Sequence, residues 1–321
     1  MDPSLTDVPG VLVGQVTRRG GGWLTGVSVV LPPPGTVAGV DVRGGGPGTH
    51  ETDALDPRTL VPTADAVVLT GGSAYGLVTA HGVQRWCAER GRGFRVGPGE
   101  HDVVPIVPAA AVFDLGRGGE FRNHPTEQMG YEAAAAAGTH VERGVAGAGT
   151  GALLGRRFKG GTGTSSVRLD DLAAGLVVGA LAVVNAAGLP TWGGAPRDGA
   201  GRARHGDPGS GPHGAPALNT TLVCVATNAA LDPAETSRTA TAAHDGLARA
   251  LEPAHTLTDG DTAFALATGQ LPLPAGRAER VEALVRIQAA AAQAVRAAVV
   301  DGVERAETVR VGELLVPRWP G

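Results

Sequence analysis

The segment Leu218-Asn219-Thr220-Thr221-Leu222-Val223-Cys224-Val225-Ala226-Thr227-Asn228 constrains this chain more than any other. Its centre is an apolar run with strand character, long enough to form one buried strand. The stretch just upstream, Gly194 to Ala217, has the opposite composition: it is crowded with Gly, Pro, Arg and His and reads as a flexible arm. Two readings of the junction are open. Asn-Thr-Thr is ordinary turn chemistry feeding a strand. It also suits a self-cleaving precursor, in which the Thr220 hydroxyl attacks the Asn219 carbonyl and hydrolysis of the ester frees Thr220 as a new N-terminus. Such a terminus holds nucleophile and base together, because an α-amino group titrates near pH ~8 and accepts the hydroxyl proton.

The strand must sit in a core with few rings. Of 321 residues 42% are hydrophobic but only 3% aromatic, so Ala, Val and Leu fill the interior, and 51 glycines favour close backbone packing and tight turns. A net charge of −4 with interspersed signs provides no field for nucleic acid or an anionic membrane. The most apolar stretches, such as Leu172 to Val184, are too short and Gly-rich to span a bilayer. Met1 to Gly10 is polar and lacks the pattern of a secretory leader, so a cytoplasmic location is the default expectation. Cys87 and Cys224 sit in apolar patterns and read as free core thiols.

Short strands are expected at Val11–Val16, Gly26–Leu31, Gly39–Val42 and Asp65–Thr70, followed by a helix from Leu77 to Arg90. Pro105–Asp114 reads as a buried strand, Thr126–Ala137 as an Ala-rich helix, and Val167–Asn185 as two buried strands around a Gly-bearing turn. After the arm come a strand at Thr221–Thr227, a helix at Asp232–Ala250 opened by Asp-Pro, a strand at Asp261–Thr268, and a long helix at Arg277–Val300. Runs of strands with helices between them indicate layered α/β packing, with the last two helices covering the sheet that carries Thr220.

Further segments bear candidate chemistry. Lys159 stands in a Gly-rich run whose spacing is not that of a P-loop. It is either a solvated loop lysine or one held close to a nucleophile, with a lowered pKa or a role in stabilising developing negative charge. Asn185 ends an apolar strand, where its amide can donate to an oxyanion or simply terminate the strand. Asp259-Gly260-Asp261 lacks the ligand spacing of a calcium loop; it is a plain turn or a pair of carboxylates that orients the amine of a freed Thr220. Gly71-Gly72-Ser73-Ala74-Tyr75-Gly76 lacks the spacing of a nucleophile elbow, and the nine histidines form no zinc-ligand pair.

In order along the chain, Gly10-Val11-Leu12-Val13-Gly14, Val40-Asp41-Val42-Arg43-Gly44-Gly45, Leu69-Thr70-Gly71-Gly72-Ser73-Ala74-Tyr75-Gly76-Leu77, Val104-Pro105-Ile106-Val107-Pro108, Phe158-Lys159-Gly160-Gly161, Asn219-Thr220-Thr221-Leu222 and Asp259-Gly260-Asp261 resemble the L-aminopeptidase/D-esterase family of N-terminal-nucleophile hydrolases. That family includes β-aminopeptidases and nylon-oligomer hydrolases. The resemblance implies an α/β fold, a four-layer α/β/β/α sandwich related to the ornithine acetyltransferase fold. It implies one hydrolase domain over 1–321, autocleaved between Asn219 and Thr220 into an α chain (1–219) and a β chain (220–321), assembled as a homotetramer of αβ heterodimers. Thr220 matches the family nucleophile, and Lys159, Asn185, Asp259 and Asp261 match catalytic positions of the nylon-oligomer branch. The implied substrates are small peptides or aminoacyl amides, and no cofactor or metal is implied. An acyltransferase of the ornithine acetyltransferase type and a non-catalytic homologue are the alternatives. Asn228 departs from the family pattern, where Asp is common.

Overall fold

The computed structural model describes residues 2–193, 218–312 and 314–321, so the Gly/Pro-rich arm lies outside the described residues. The fold is mixed α/β. Ten strands form two five-stranded sheets: β1 (Leu12–Gly20), β2 (Trp23–Leu31), β3 (Val37–Val42), β4 (Thr49–His50), β5 (Val67–Thr70), β6 (Ala109–Ala111), β7 (Gly161–Arg168), β8 (Val177–Asn185), β9 (Thr220–Ala229) and β10 (Thr262–Leu271). The first sheet runs β1-β2-β5-β6-β4 and the second β7-β8-β9-β10-β3. Each contains one parallel pair, β5 with β6 and β9 with β10, and the other pairings are antiparallel. A parallel pair needs a long crossover, which the helices supply. The crossover from β5 to β6 contains α1 (Thr79–Ala88) and that from β9 to β10 contains α3 (Pro233–Ala250), while α2 (Glu127–Ala135) and α4 (Arg277–Glu304) come after β6 and β10.

Strand alternation decides what each sheet face touches. From β9, Leu222, Cys224 and Ala226 join Val30, Val67 and Leu69 of the first sheet in one buried cluster. Their neighbours Val223 and Val225 join Leu247 of α3 and Ile287, Ala291 and Ala298 of α4 in a second. The third cluster packs Val27, Val29 and Val68 against Val83 and Cys87 of α1 and Met129 and Ala133 of α2. Every residue of β9 is buried, as expected of a central strand covered on both faces. Both cysteines are free and buried, and burial pushes the Cys87 thiol up to about 12.

The strands extend beyond their expected limits where the sequence is rich in glycine. β7 begins at Gly161, inside the run that resembled a loop, because the backbone of α4 lies directly against it. A Cβ on Gly163 would stand 2.1 Å from the Ala298 carbonyl oxygen. Between Pro105 and Asp114 only Ala109–Ala111 is regular strand, although the stretch is largely buried, because Pro105 and Pro108 have no N–H to donate and Ile106 N and Val107 N bond to the Asp65 and Glu51 carboxylates. α3 begins where Asp232 caps it, the Asp232 carboxylate accepting from Glu235 N at 2.8 Å and Glu235 bonding back to Asp232 N at 3.0 Å. α4 is the one helix among the described residues that is long and apolar enough to be weighed against a bilayer. By length and composition it passes that test, yet half of its most apolar window is buried inside the molecule, against β7, β8 and α3.

Candidate active site

β8 and β9 are antiparallel, so the last residue of one faces the first of the other: Asn185 is the ladder partner of Thr220. Before β9 the chain continues as a parallel bridge between Asn219 and Asp259. Here Asn219 N donates to the Thr258 carbonyl at 3.2 Å and Gly260 N donates to the Asn219 carbonyl at 2.8 Å. The Thr220 hydroxyl donates to that same Asn219 oxygen at 2.5 Å. One buried carbonyl therefore receives a backbone N–H and the hydroxyl of the next residue. Gly260 is required for this approach, since a Cβ there would lie 2.7 Å from Thr220 Oγ1.

The two aspartates flank this point and are both buried, so they are not a plain surface turn. Asp261 extends the β9–β10 ladder with its side chain: Oδ1 accepts Thr221 N at 2.6 Å, while Oδ2 accepts His255 N at 3.0 Å and His255 Nδ1 at 2.8 Å. Asp259 is less well served. Its Oδ2 accepts Thr256 N at 2.7 Å, and its Oδ1 is buried without a hydrogen bond among the described residues. Burial first, then the neighbouring Asp261 charge, raises the Asp259 carboxyl above its ordinary range, against the opposing pull of Thr256 and His255.

Asn185 is oriented by its oxygen. Oδ1 accepts Arg117 Nη1 at 2.5 Å and Leu153 N at 3.0 Å, and because neither group can accept a hydrogen bond, the amide flip is fixed. Nδ2 has a single contact, 3.4 Å to the Phe113 carbonyl, too long to hold it firmly. Arg117 also donates to the Gly151 carbonyl at 2.7 Å, and burial lowers its guanidinium to about 10, with Asp114 opposing. At that value it is still a cation at neutral pH.

Lys159 is completely buried, which overturns the solvated-loop reading. Its ammonium donates to the carbonyls of Gly149 (3.0 Å), Ala152 (2.6 Å) and Gly160 (2.7 Å), so its three hydrogen bonds go to carbonyls and none to Thr220. Burial, then the charges of Arg117 and Arg19, hold it well below the ordinary lysine range, and Asp114 opposes them. It reaches the site indirectly: Lys159 pairs with Leu153, whose N–H bonds to Asn185. The Gly147–Gly151 run supplies part of this carbonyl cradle. Asn228 lies at the other end of β9. Its Oδ1 accepts Val177 N at 3.0 Å and its Nδ2 donates to the Gly175 carbonyl at 2.9 Å, a bond that an ionised Asp could not make.

Thr220, Asn185, Asp259 and Asp261 thus meet at one end of β8, β9 and β10, with Lys159 one strand pair away. Sequence reasoning did not identify Gly260, His255 or Arg117. The first two lie within six positions of Asp261 and are locally visible, whereas Arg117 reaches Asn185 across 68 positions and has no local signal.

A hydroxyl on one carbonyl, with an oriented amide and paired carboxylates at the same strand ends, suits amide-bond hydrolysis. The chain belongs to peptidase family S58, whose model matches residues 3–314. It is 47% identical over 95% of both chains to an uncharacterized aminopeptidase of Mycobacterium tuberculosis. It is 30% identical to the 6-aminohexanoate-oligomer endohydrolase of Paenarthrobacter ureafaciens, over 84% of this chain and 76% of that one. The structure resembles the Burkholderia sp. β-aminopeptidase with a TM-score of 0.75 and 27% identity, covering 99% of this chain and 91% of that one. The L-aminopeptidase D-Ala-esterase/amidase of Ochrobactrum anthropi, described as a variant of the Ntn-hydrolase fold, matches with a TM-score of 0.75 at 24% identity, over 99% and 92%, a likeness of fold. The resemblance to the aminopeptidase and nylon-oligomer hydrolase group therefore holds, and the chain is an enzyme of the aminopeptidase and amide-hydrolase class.

Proposed function

We propose that this chain is a self-processing N-terminal-nucleophile hydrolase of small peptide or aminoacyl amides, with Thr220 as its nucleophile. The observation that carries this reading is the Asn219 carbonyl oxygen, which accepts both the Thr220 hydroxyl at 2.5 Å and Gly260 N–H at 2.8 Å. In the first stage Thr220 Oγ1 bonds to the Asn219 carbonyl carbon. Gly260 N–H stabilises the oxyanion, the C–N bond breaks, and the hydroxyl proton passes to the departing Thr220 nitrogen. Water then hydrolyses the ester, leaving an α chain (1–219) and a β chain (220–321) of one domain.

In the second stage the freed Thr220 amine takes the hydroxyl proton and Thr220 attacks the substrate carbonyl. The Asn185 amide, its flip fixed by Arg117, donates to the developing oxyanion. Asp259 and Asp261 orient the amine, and Lys159, whose strand partner Leu153 bonds to Asn185, tunes the developing charge. The substrate amine leaves with the proton, and water releases the acid from Thr220. Every step uses a protein group and needs no cofactor. The clusters on either side of the paired sheets support reading the fold as the four-layer α/β/β/α arrangement, related to the ornithine acetyltransferases. The same reading carries a homotetramer of αβ heterodimers and a cytoplasmic location.

Wild-type protein is expected to run as two bands, the smaller beginning Thr-Thr-Leu-Val, while Thr220→Ala remains one 321-residue chain without activity on aminoacyl p-nitroanilides. Equal cleavage of both proteins would reject the assignment.

A further inference from the structure

The geometry points to His255 as a positioning residue for the chemistry at Thr220, acting through Asp261; this rests on the reading above. His255 lies between α3 and β10 with φ +59°, the left-handed region, which a β-carbon disfavours. That turn brings two donors of one residue, its backbone N and its Nδ1, onto the same oxygen, Asp261 Oδ2. The other oxygen of Asp261 holds the amide of Thr221. The carboxylate is therefore a bridge between His255 and the residue that follows the nucleophile.

The ring of His255 is itself held. A carboxylate oxygen can only accept, so Nδ1 carries a hydrogen and donates it to Asp261, while Nε2 is buried without a partner among the described residues. The ring meets His244 edge to face, with centroids 4.7 Å apart. His244 is fixed by the same logic: its Nε2 is 2.9 Å from the Asp41 carbonyl and must donate, while its Nδ1 is without a partner among the described residues. A continuous path thus runs from half-buried Asp41 on β3 through buried His244 on α3, half-buried His255 and buried Asp261 to Thr221 on β9. The terminal torsion of an aspartate is broad and roughly two-fold. Without the ring, Asp261 keeps only the two backbone donors, His255 N on Oδ2 and Thr221 N on Oδ1, its torsion is less firmly fixed, and Thr221 and the hydroxyl beside it are held less rigidly against the Asn219 carbonyl.

Two substitutions separate this role from that of the turn. His255→Gly accepts the positive φ and keeps the backbone donor but removes the ring; His255→Asn tolerates the same backbone and restores a side-chain donor. We expect H255G to slow conversion of the 321-residue chain into two bands, and to lower kcat of the processed fraction on an aminoacyl p-nitroanilide with little change in KM, each by up to about 100-fold. H255N should recover most of both rates. In the Thr220→Ala background, hydrogen exchange at the Thr221 amide should accelerate with H255G and not with H255N. Wild-type processing and turnover by H255G would overturn the role of His255 and leave the Thr220 assignment standing, as would equal losses in H255G and H255N. A wild-type chain that never cleaves would overturn both.

Discussion

Asp259 illustrates how a single residue sets stability against use. One of its oxygens is buried without a partner among the described residues, and burial together with Asp261 raises its carboxyl above the ordinary value of 3.8. A carboxyl raised by folding stabilises the folded state at low pH, where it is protonated in both states. That contribution is lost as pH rises through the folded pKa, because the unfolded chain then releases its proton more readily. Asp259→Asn removes the cost of the buried charge and keeps an oxygen for Thr256 N–H. At neutral pH the variant should unfold at a denaturant midpoint equal to or above that of wild type, with the difference vanishing below the ordinary carboxylate range, while turnover falls. A midpoint below wild type at pH 7 would count against this account. Residue type and neighbourhood made Thr220, Asp259 and Asp261 legible in the sequence, since they sit next to or inside a strand end. The burial of Lys159 and its carbonyl cradle were not legible, because two of the three acceptors, Gly149 and Ala152, come from a turn ten and seven positions upstream.

Among the elements, the contact of β7 with α4 depends on absent side chains. Gly163 faces Ala298 and Gly302, and an added Cβ would lie 2.1 Å from one backbone oxygen and 2.2 Å from a backbone nitrogen. Gly163→Ala should therefore lower unfolding free energy by about 1–3 kcal/mol, seen as a lower denaturant midpoint with an unchanged slope. Helices were legible wherever capping chemistry and apolar period coincided, as at Asp232-Pro233. Strand limits were less so: glycines that mark turns in isolation here mark places where a helix backbone rests on the sheet.

At the scale of the whole molecule, the proposed cut falls in the middle of a sheet. β9, the first element after residue 219, is paired with β8 from before it and with β10 from after it. The two processed chains should therefore co-elute as one species in native size-exclusion chromatography and separate only in denaturant; separation under native conditions would contradict this arrangement. By itself the sequence carried the family resemblance, through Phe158-Lys159-Gly160-Gly161, Asn219-Thr220-Thr221-Leu222 and Asp259-Gly260-Asp261 in one order, while residue types alone left the role of each open; local period and capping located most helices and strands. Only the tertiary structure decided which groups meet. The Asn185–Thr220 register, the hold of Arg117 on Asn185 and the path from Asp41 to Asp261 all join segments distant in the chain. Such contacts depend on strand pairing and layer packing, and no local pattern encodes them.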